Sequence, residues 1–211
     1  MAHLLIVGAS RGIGLETVNC ALRAGHSVRA FSRAAHRIGV DHAALEKTQG
    51  DALDEADINA ALESVDCVVQ TLGVGAADLF GPVSLFSDAT RILVDAMERR
   101  GTKRLIAVTG FGAGDSRSAI GLLQLVPFRL LLGRAYDDKD VQEHIIKKSN
   151  LDWTIMRPGI LTNGPATGRV KALADPSKWR NGVISRKDVA DFIVKAISDD
   201  TTIRRDPVLV S

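Results

Sequence analysis

The residues best suited to chemistry stand at the start of the chain, in Gly8-Ala9-Ser10-Arg11-Gly12-Ile13-Gly14. A short apolar run, His3 to Val7, leads into them, and a helical pattern follows at once. A strand, a tight turn and a helix N-terminus are the parts that hold a pyrophosphate. Gly8 permits the sharp turn, Gly12 a close approach of backbone to phosphate, and Gly14 close packing of helix on strand. Ser10, Arg11 and Ile13 complete the loop. The first helical turn adds unpaired N–H groups with the helix dipole behind them. The spacing is G-x-x-x-G-x-G rather than G-x-G-x-x-G, and a plain β–α turn is the competing reading. Its place between a strand and a helix, in an alternating chain, favours a dinucleotide.

A second group of residues indicates which dinucleotide. An NAD site usually carries an acid at the end of the second strand, on the ribose 2′-OH. Here that strand ends Phe31-Ser32-Arg33, and no acidic residue occurs between Glu16 and Asp41. Arg33 stands where the acid would be, and Arg11 lies in the glycine loop. Two guanidiniums suit a 2′-phosphate, so NADP(H) is favoured over NAD(H). Two solvated surface arginines are the plain alternative.

These residues need elements to position them. Apolar runs predict strands over about 3–7, 28–31, 44–49, 66–72, 104–109 and 153–157, with a short closing strand at 207–210. Helical patterns fall between them, at about 12–24, 54–64, 87–100, 136–149 and 185–198. Gly25 and Gly101 suit helix ends, Asp54 suits a helix start, and Ser185 with Asp188 resembles a capping box. Strand and helix alternate throughout, which predicts an α/β doubly wound parallel sheet in a single domain over 1–211. Ligands of such sheets sit beyond the strands' carboxyl ends. Gly8, Ser32, Thr71, Thr109 and Pro158 all fall at such ends. Residues 110–134 and the long loop 158–181 are the least regular parts, and are expected to form a small substrate-covering region.

Composition narrows the partners. The 211 residues are 45% apolar and 25% charged, an ordinary globular balance. A net charge of +2 and an aromatic content of 4% give no argument for nucleic acid. The apolar stretch 120–132 is too short to span a bilayer, so no membrane association is expected. No signal peptide is visible, and a cytoplasmic location is expected. Cys20 and Cys67 read as buried free thiols, which fits a reducing compartment. The five histidines show no ligand spacing, so no metal site is expected. No helix carries a conspicuous second apolar face, which leaves monomer and homodimer both open.

Seven segments in this order resemble the atypical short-chain dehydrogenase/reductases, within them the NAD(P)-binding, NmrA-like group that includes flavin/biliverdin reductases. They are the glycine loop; Gly50-Asp51-Ala52-Leu53-Asp54; Thr71-Leu72-Gly73; Val108-Thr109-Gly110; Lys139 with Glu143; Leu151 to Gly159; and Ile184 to Ala190. The resemblance covers nearly the whole chain and implies a Rossmann fold and an NAD(P)H-dependent oxidoreductase acting on a small molecule. It implies that Asp51 and Ala52 flank the adenine, and that Thr71, Leu72 and Gly73 line the cofactor. It places Thr109 beside the nicotinamide, with Pro158, Gly159 and Ile160 shaping that end. Ser185 and Asp188 read as structural.

The chain departs from the family's catalytic Tyr-x-x-x-Lys. If Lys139 is that lysine, Ala135 holds the tyrosine's place, and Tyr136, the only tyrosine, comes one residue late. Positions i and i+3 share a helix face, so Tyr136 joins Thr109 and Lys139 as a candidate catalytic residue, with Lys139 also expected on the ribose. The serine often found after Thr109 is Gly110. Glu143, four residues after Lys139, is expected to pair with it, and Asp137-Asp138-Lys139-Asp140 reads as a solvated helix start. Three functions stay open: hydride transfer from NADPH to a small carbonyl, flavin or quinone; a catalytically silent NADP(H) sensor; and an NAD(P)-dependent epimerase or dehydratase, disfavoured for want of the tyrosine.

Overall fold

A computed structural model describes residues 1–73, 84–119 and 122–211, and of 122–132 the backbone alone. The stretch read as part of a substrate cover at 120–132 thus lies outside the described side chains. The elements are β1 (His3–Val7), α1 (Gly12–Arg23), β2 (Ser27–Ser32), β3 (Leu45–Gln49), α2 (Glu55–Ala61), β4 (Cys67–Gln70), α3 (Leu85–Arg100), β5 (Arg104–Val108), α4 (Leu122–Lys148), β6 (Asp152–Pro158), β7 (Ile160–Thr162), β8 (Lys171–Leu173), β9 (Val183–Ser185), α5 (Arg186–Ala196) and β10 (Val208–Val210).

The main sheet runs β3-β2-β1-β4-β5-β6-β10-β8, and all neighbours are parallel except β10 with β8. The doubly wound parallel architecture read from the alternation is therefore the observed one. Chain order moves outward from β1 in one direction and from β4 in the other. That reversal opens a crevice between their carboxyl ends, where such sheets bind ligands.

Central strands are apolar on both faces because both faces are covered. Leu4, Ile6, Val28 and Ala30 pack with Val18 and Ala21 of α1 and Val189 and Ile193 of α5. Leu5, Val7, Val68 and Leu105 pack on the other side with Ile58 and Ala61 of α2 and Leu93 and Met97 of α3. Glycines end two helices in the left-handed region: Gly25 follows α1 at φ +84° and Gly101 caps α3 at φ +77°. Asp54 caps α2, its carboxylate accepting from the Ala56 and Asp57 N–H groups.

Three expectations change. α4 begins at Leu122, well before Tyr136. The run 120–132 shows no clear helical period and contains Pro127, which argues against a helix interior, so nothing in it marked the start. The acids at 137–140 are consequently not at a helix N-terminus. Asp138 is buried and accepts the Phe86 and Ser87 N–H groups at the start of α3 (2.8 and 3.3 Å). The loop 158–181 contains β7 and β8, three-residue strands too short to alternate visibly.

Ser185 caps α5 as expected, its hydroxyl accepting from the Asp188 N–H, and the Asp188 carboxylate turns back onto that cap. That carboxylate takes the Thr167 and Gly168 N–H groups and the Thr167 and Ser185 hydroxyls. Burial opposes its charge, yet these donors hold it below the usual carboxylate range. The contact ties the 158–181 segment to α5.

Candidate functional site

A cleft of about 990 Å³ lies along the carboxyl ends of β1, β2, β4, β5 and β6. Its floor is the glycine loop. Gly8 has φ +91°, and a Cβ there would stand 2.8 Å from the Thr71 carbonyl oxygen. A Cβ on Gly14 would overlap the Gly8 oxygen, so only glycine lets α1 start this close to β1. Gly12, at φ +60°, borders the cleft, and a Cβ there would meet only the Arg186 side chain, at 3.9 Å. Gly14 itself lies behind the loop rather than on the cleft wall.

Ser32 ends β2 with its hydroxyl buried and without a hydrogen-bond partner. It lines the cleft together with Arg11, Arg33 and Arg37. Asp51 and Ala52 form the neighbouring wall, and Thr71, Leu72 and Gly73 the wall beyond β4. Among the described residues the lining carries five cations, Arg11, Arg33, Arg37, Lys139 and Arg186, against one carboxylate, Asp51. Such a surface suits a polyanion. An orphaned serine hydroxyl, a side-chain-free glycine floor and this charge balance together fit a dinucleotide phosphate.

At the other end, Thr109, Lys139 and Pro158 line the cleft. The Thr109 hydroxyl donates to Glu143 Oε1 at 2.8 Å. Glu143 is buried and bound in a fork by Arg157, with Nε–Oε1 3.0 Å and Nη2–Oε2 2.6 Å. Glu143 therefore pairs with Arg157, not with Lys139. A register argument along one helix cannot see a partner on a strand. The Lys139 ammonium instead donates to the Thr109 carbonyl oxygen and sits over the rings of Phe86 and Tyr136 (4.9 and 5.5 Å). Burial lowers its pKa to about 8, against the opposing pull of Glu143 and Asp138.

Tyr136 does not line the cleft. Its hydroxyl lies 2.7 Å from the point where a Cβ on Gly110 would stand. The missing side chain at 110 is thus what makes room for the phenol. Burial pushes that phenol up to about 12. Gly159 and Ile160 also stand off the cleft. Their N–H groups bind the Leu209 and Gly182 carbonyls, and Ile160 is exposed. Residues not read from the sequence join the lining: Phe31, Arg37, Leu85, Leu161, Asn163 and Arg186.

Both cysteines are buried free thiols, pushed up to about 12 first by burial. Among the described residues, no helix is long and apolar enough to cross a membrane.

The chain belongs to the NAD(P)H-binding family, which matches residues 8–200. This is an oxidoreductase family, and the chain's neighbours fit the atypical short-chain dehydrogenase/reductases. The uncharacterized sugar epimerase YhfK of Bacillus subtilis is 29% identical over 210 residues, 96% of this chain and 91% of that one. Among solved structures, the anaerobilin reductase ChuY of Escherichia coli O157:H7 superposes with a TM-score of 0.81 at 26% identity, covering 99% of this chain and 96% of that one. A short-chain dehydrogenase/reductase of Veillonella parvula, solved with NADP, reaches 0.84 at 19% identity over 100% and 94% of the two chains. At that identity the likeness concerns the fold alone.

Proposed function

We propose that the protein is an NADPH-dependent reductase of a small planar or carbonyl acceptor. One observation carries the cofactor choice. Three arginines and an unpartnered serine hydroxyl surround the end of β2, where an NAD site would present a carboxylate. On this reading NADPH, when bound, supplies the hydride. The glycine loop takes its phosphates, Ser32, Arg11, Arg33 and Arg37 its 2′-phosphate, and Asp51 and Ala52 its adenine. Thr71, Leu72 and Gly73 line its middle. Thr109, Lys139 and Pro158 hold the nicotinamide end, and Gly159 and Ile160 support that wall from behind. The segment 158–181 and the described residues 110–119 cover the acceptor.

The acceptor class follows from what the cleft offers. The chain's one phenol does not line it, and the Thr109 hydroxyl is committed to Glu143. An acceptor that can take its proton from water fits best, such as a flavin or quinone. The likeness to an anaerobilin reductase adds anaerobilin to the acceptors to be tried. The same two observations favour a second reading, an NADP(H) sensor without turnover.

Titration with NADPH and NADH, followed by nicotinamide fluorescence, tests the cofactor assignment. NADPH is expected to bind at least about tenfold tighter, or about 1.4 kcal/mol. Arg33→Ala is expected to erase the gap, because it removes a charge-assisted contact that only the 2′-phosphate uses. Equal affinity for both cofactors would refute the NADP preference. Turnover with flavin, quinone or anaerobilin acceptors then separates reductase from sensor.

A further inference from the structure

We propose that Arg186, oriented by Asn163, is a second phosphate-binding element that closes on the pyrophosphate from the side opposite the glycine loop. The proposal rests on the dinucleotide reading above and extends it to residues outside the glycine motif.

Arg186 is the first residue of α5, and Asn163 directly follows β7. Both line the cleft, and the Arg186 Nη1 donates to Asn163 Oδ1 at 2.7 Å. A Cβ built on Gly12 would meet one heavy atom within 4 Å, Arg186 Nε at 3.9 Å. The guanidinium therefore hangs over the position where backbone and phosphate should approach most closely. At that distance a side chain at position 12 would touch the guanidinium, so arginine and glycine loop face each other across the space that the missing side chain leaves.

The charge of Arg186 is also uncompensated. Among the described residues no carboxylate lies within ion-pair distance of it, and its amide partner is neutral. Asp188, the acid two residues on, is spent on Thr167, Gly168 and Ser185. A half-buried guanidinium held by one neutral acceptor keeps donors available for an anion. Asn163 belongs to the segment leading from the cleft wall at Pro158, so the clamp also links phosphate binding to the proposed substrate cover.

The test compares three ligands by calorimetry: NADPH, 2′-phospho-ADP-ribose and adenosine 2′-phosphate. Only the first two contain a pyrophosphate. Arg186→Ala is expected to weaken both by about tenfold or more, with adenosine 2′-phosphate unchanged. Arg186→Lys keeps the charge without the fork and should recover part of the loss. Asn163→Asp supplies a carboxylate that competes for the guanidinium, so it should weaken the pyrophosphate ligands more than Asn163→Ala does. Unchanged binding of all three by Arg186→Ala, or equal weakening of all three, overturns the clamp while leaving the cofactor reading intact. Failure of the unaltered protein to bind any of them overturns both.

Discussion

Arg157→Met is expected to lower folding stability by about 3–5 kcal/mol. In a chain of this length that amounts to a fall in melting temperature of about 10 °C. The guanidinium is fully buried and Glu143 nearly so, at 0% and 2% exposure. Two parallel hydrogen bonds join them, and Asp206 takes two more through its backbone oxygen and Oδ2 (3.0 and 2.9 Å). The Trp179 ring covers the guanidinium at 5.0 Å. Removing the arginine leaves a buried carboxylate hydrogen-bonded only to the Thr109 hydroxyl, with the Lys139 ammonium nearby but not in contact as its remaining counter-charge. That poorly compensated charge, rather than a lost attraction, is the source of the penalty. The double variant Arg157→Met with Glu143→Met should therefore be more stable than Arg157→Met alone. Urea unfolding of the four proteins measures the coupling. A double variant no better than the single one would assign the loss to packing.

The pair matters beyond stability because it fixes Thr109. The Thr109 side chain accepts its orientation from Glu143, and its backbone oxygen takes the Lys139 ammonium. β5, α4 and β6 thus meet at one buried charge network immediately behind the cleft. The double variant is accordingly expected to fold without restoring the wild-type affinity for the nicotinamide end of the cofactor.

The sequence exposed some of this and concealed the rest for physical reasons. β1 and β4 are short apolar runs bounded by turn residues, and the left-handed ends of α1 and α3 require glycine or its equivalent. Such features are local, so they are visible locally. The arginines at the end of β2 were half legible: Arg33 is adjacent to the strand, whereas Arg37 reaches the cleft only because a short helical turn at Ala35–Arg37 brings it back. Arg186 and Asn163 are 23 residues apart and join through the pairing of β7 with β9. No period or motif encodes that. Glu143 was paired with Lys139 by helix register, yet a carboxylate chooses among all cations its fold delivers, and β6 delivers Arg157. One signal was present: a charged residue ending the apolar strand Trp153-Thr154-Ile155-Met156-Arg157 needs a buried partner.

Lys139→Met is expected to move stability and function in opposite directions. Burial lowers the ammonium from 10.5 to about 8 in the folded protein. Between those values the unfolded chain binds more protons than the folded one, so wild-type stability rises with pH across that window. Below about pH 8 the protein carries the full cost of a poorly solvated charge. The methionine variant carries none, so it should melt higher at pH 7, and its advantage should shrink as pH approaches 10. Activity should change the other way. On the proposed reading Lys139 is, among the described residues, the one titratable side chain lining the nicotinamide end of the cleft, where its positive charge holds the cofactor. Its loss should lower turnover of a reducible acceptor by about 100-fold, because a preorganised charge at the reacting end of the cofactor is gone. Wild-type turnover should also decline as pH rises through about 8, because the lysine is charged only below that point. Lys139→Arg, which stays charged, should lack that decline even if its rate is low. A methionine variant that melts higher yet retains full turnover and the same pH profile would make Lys139 a packing residue.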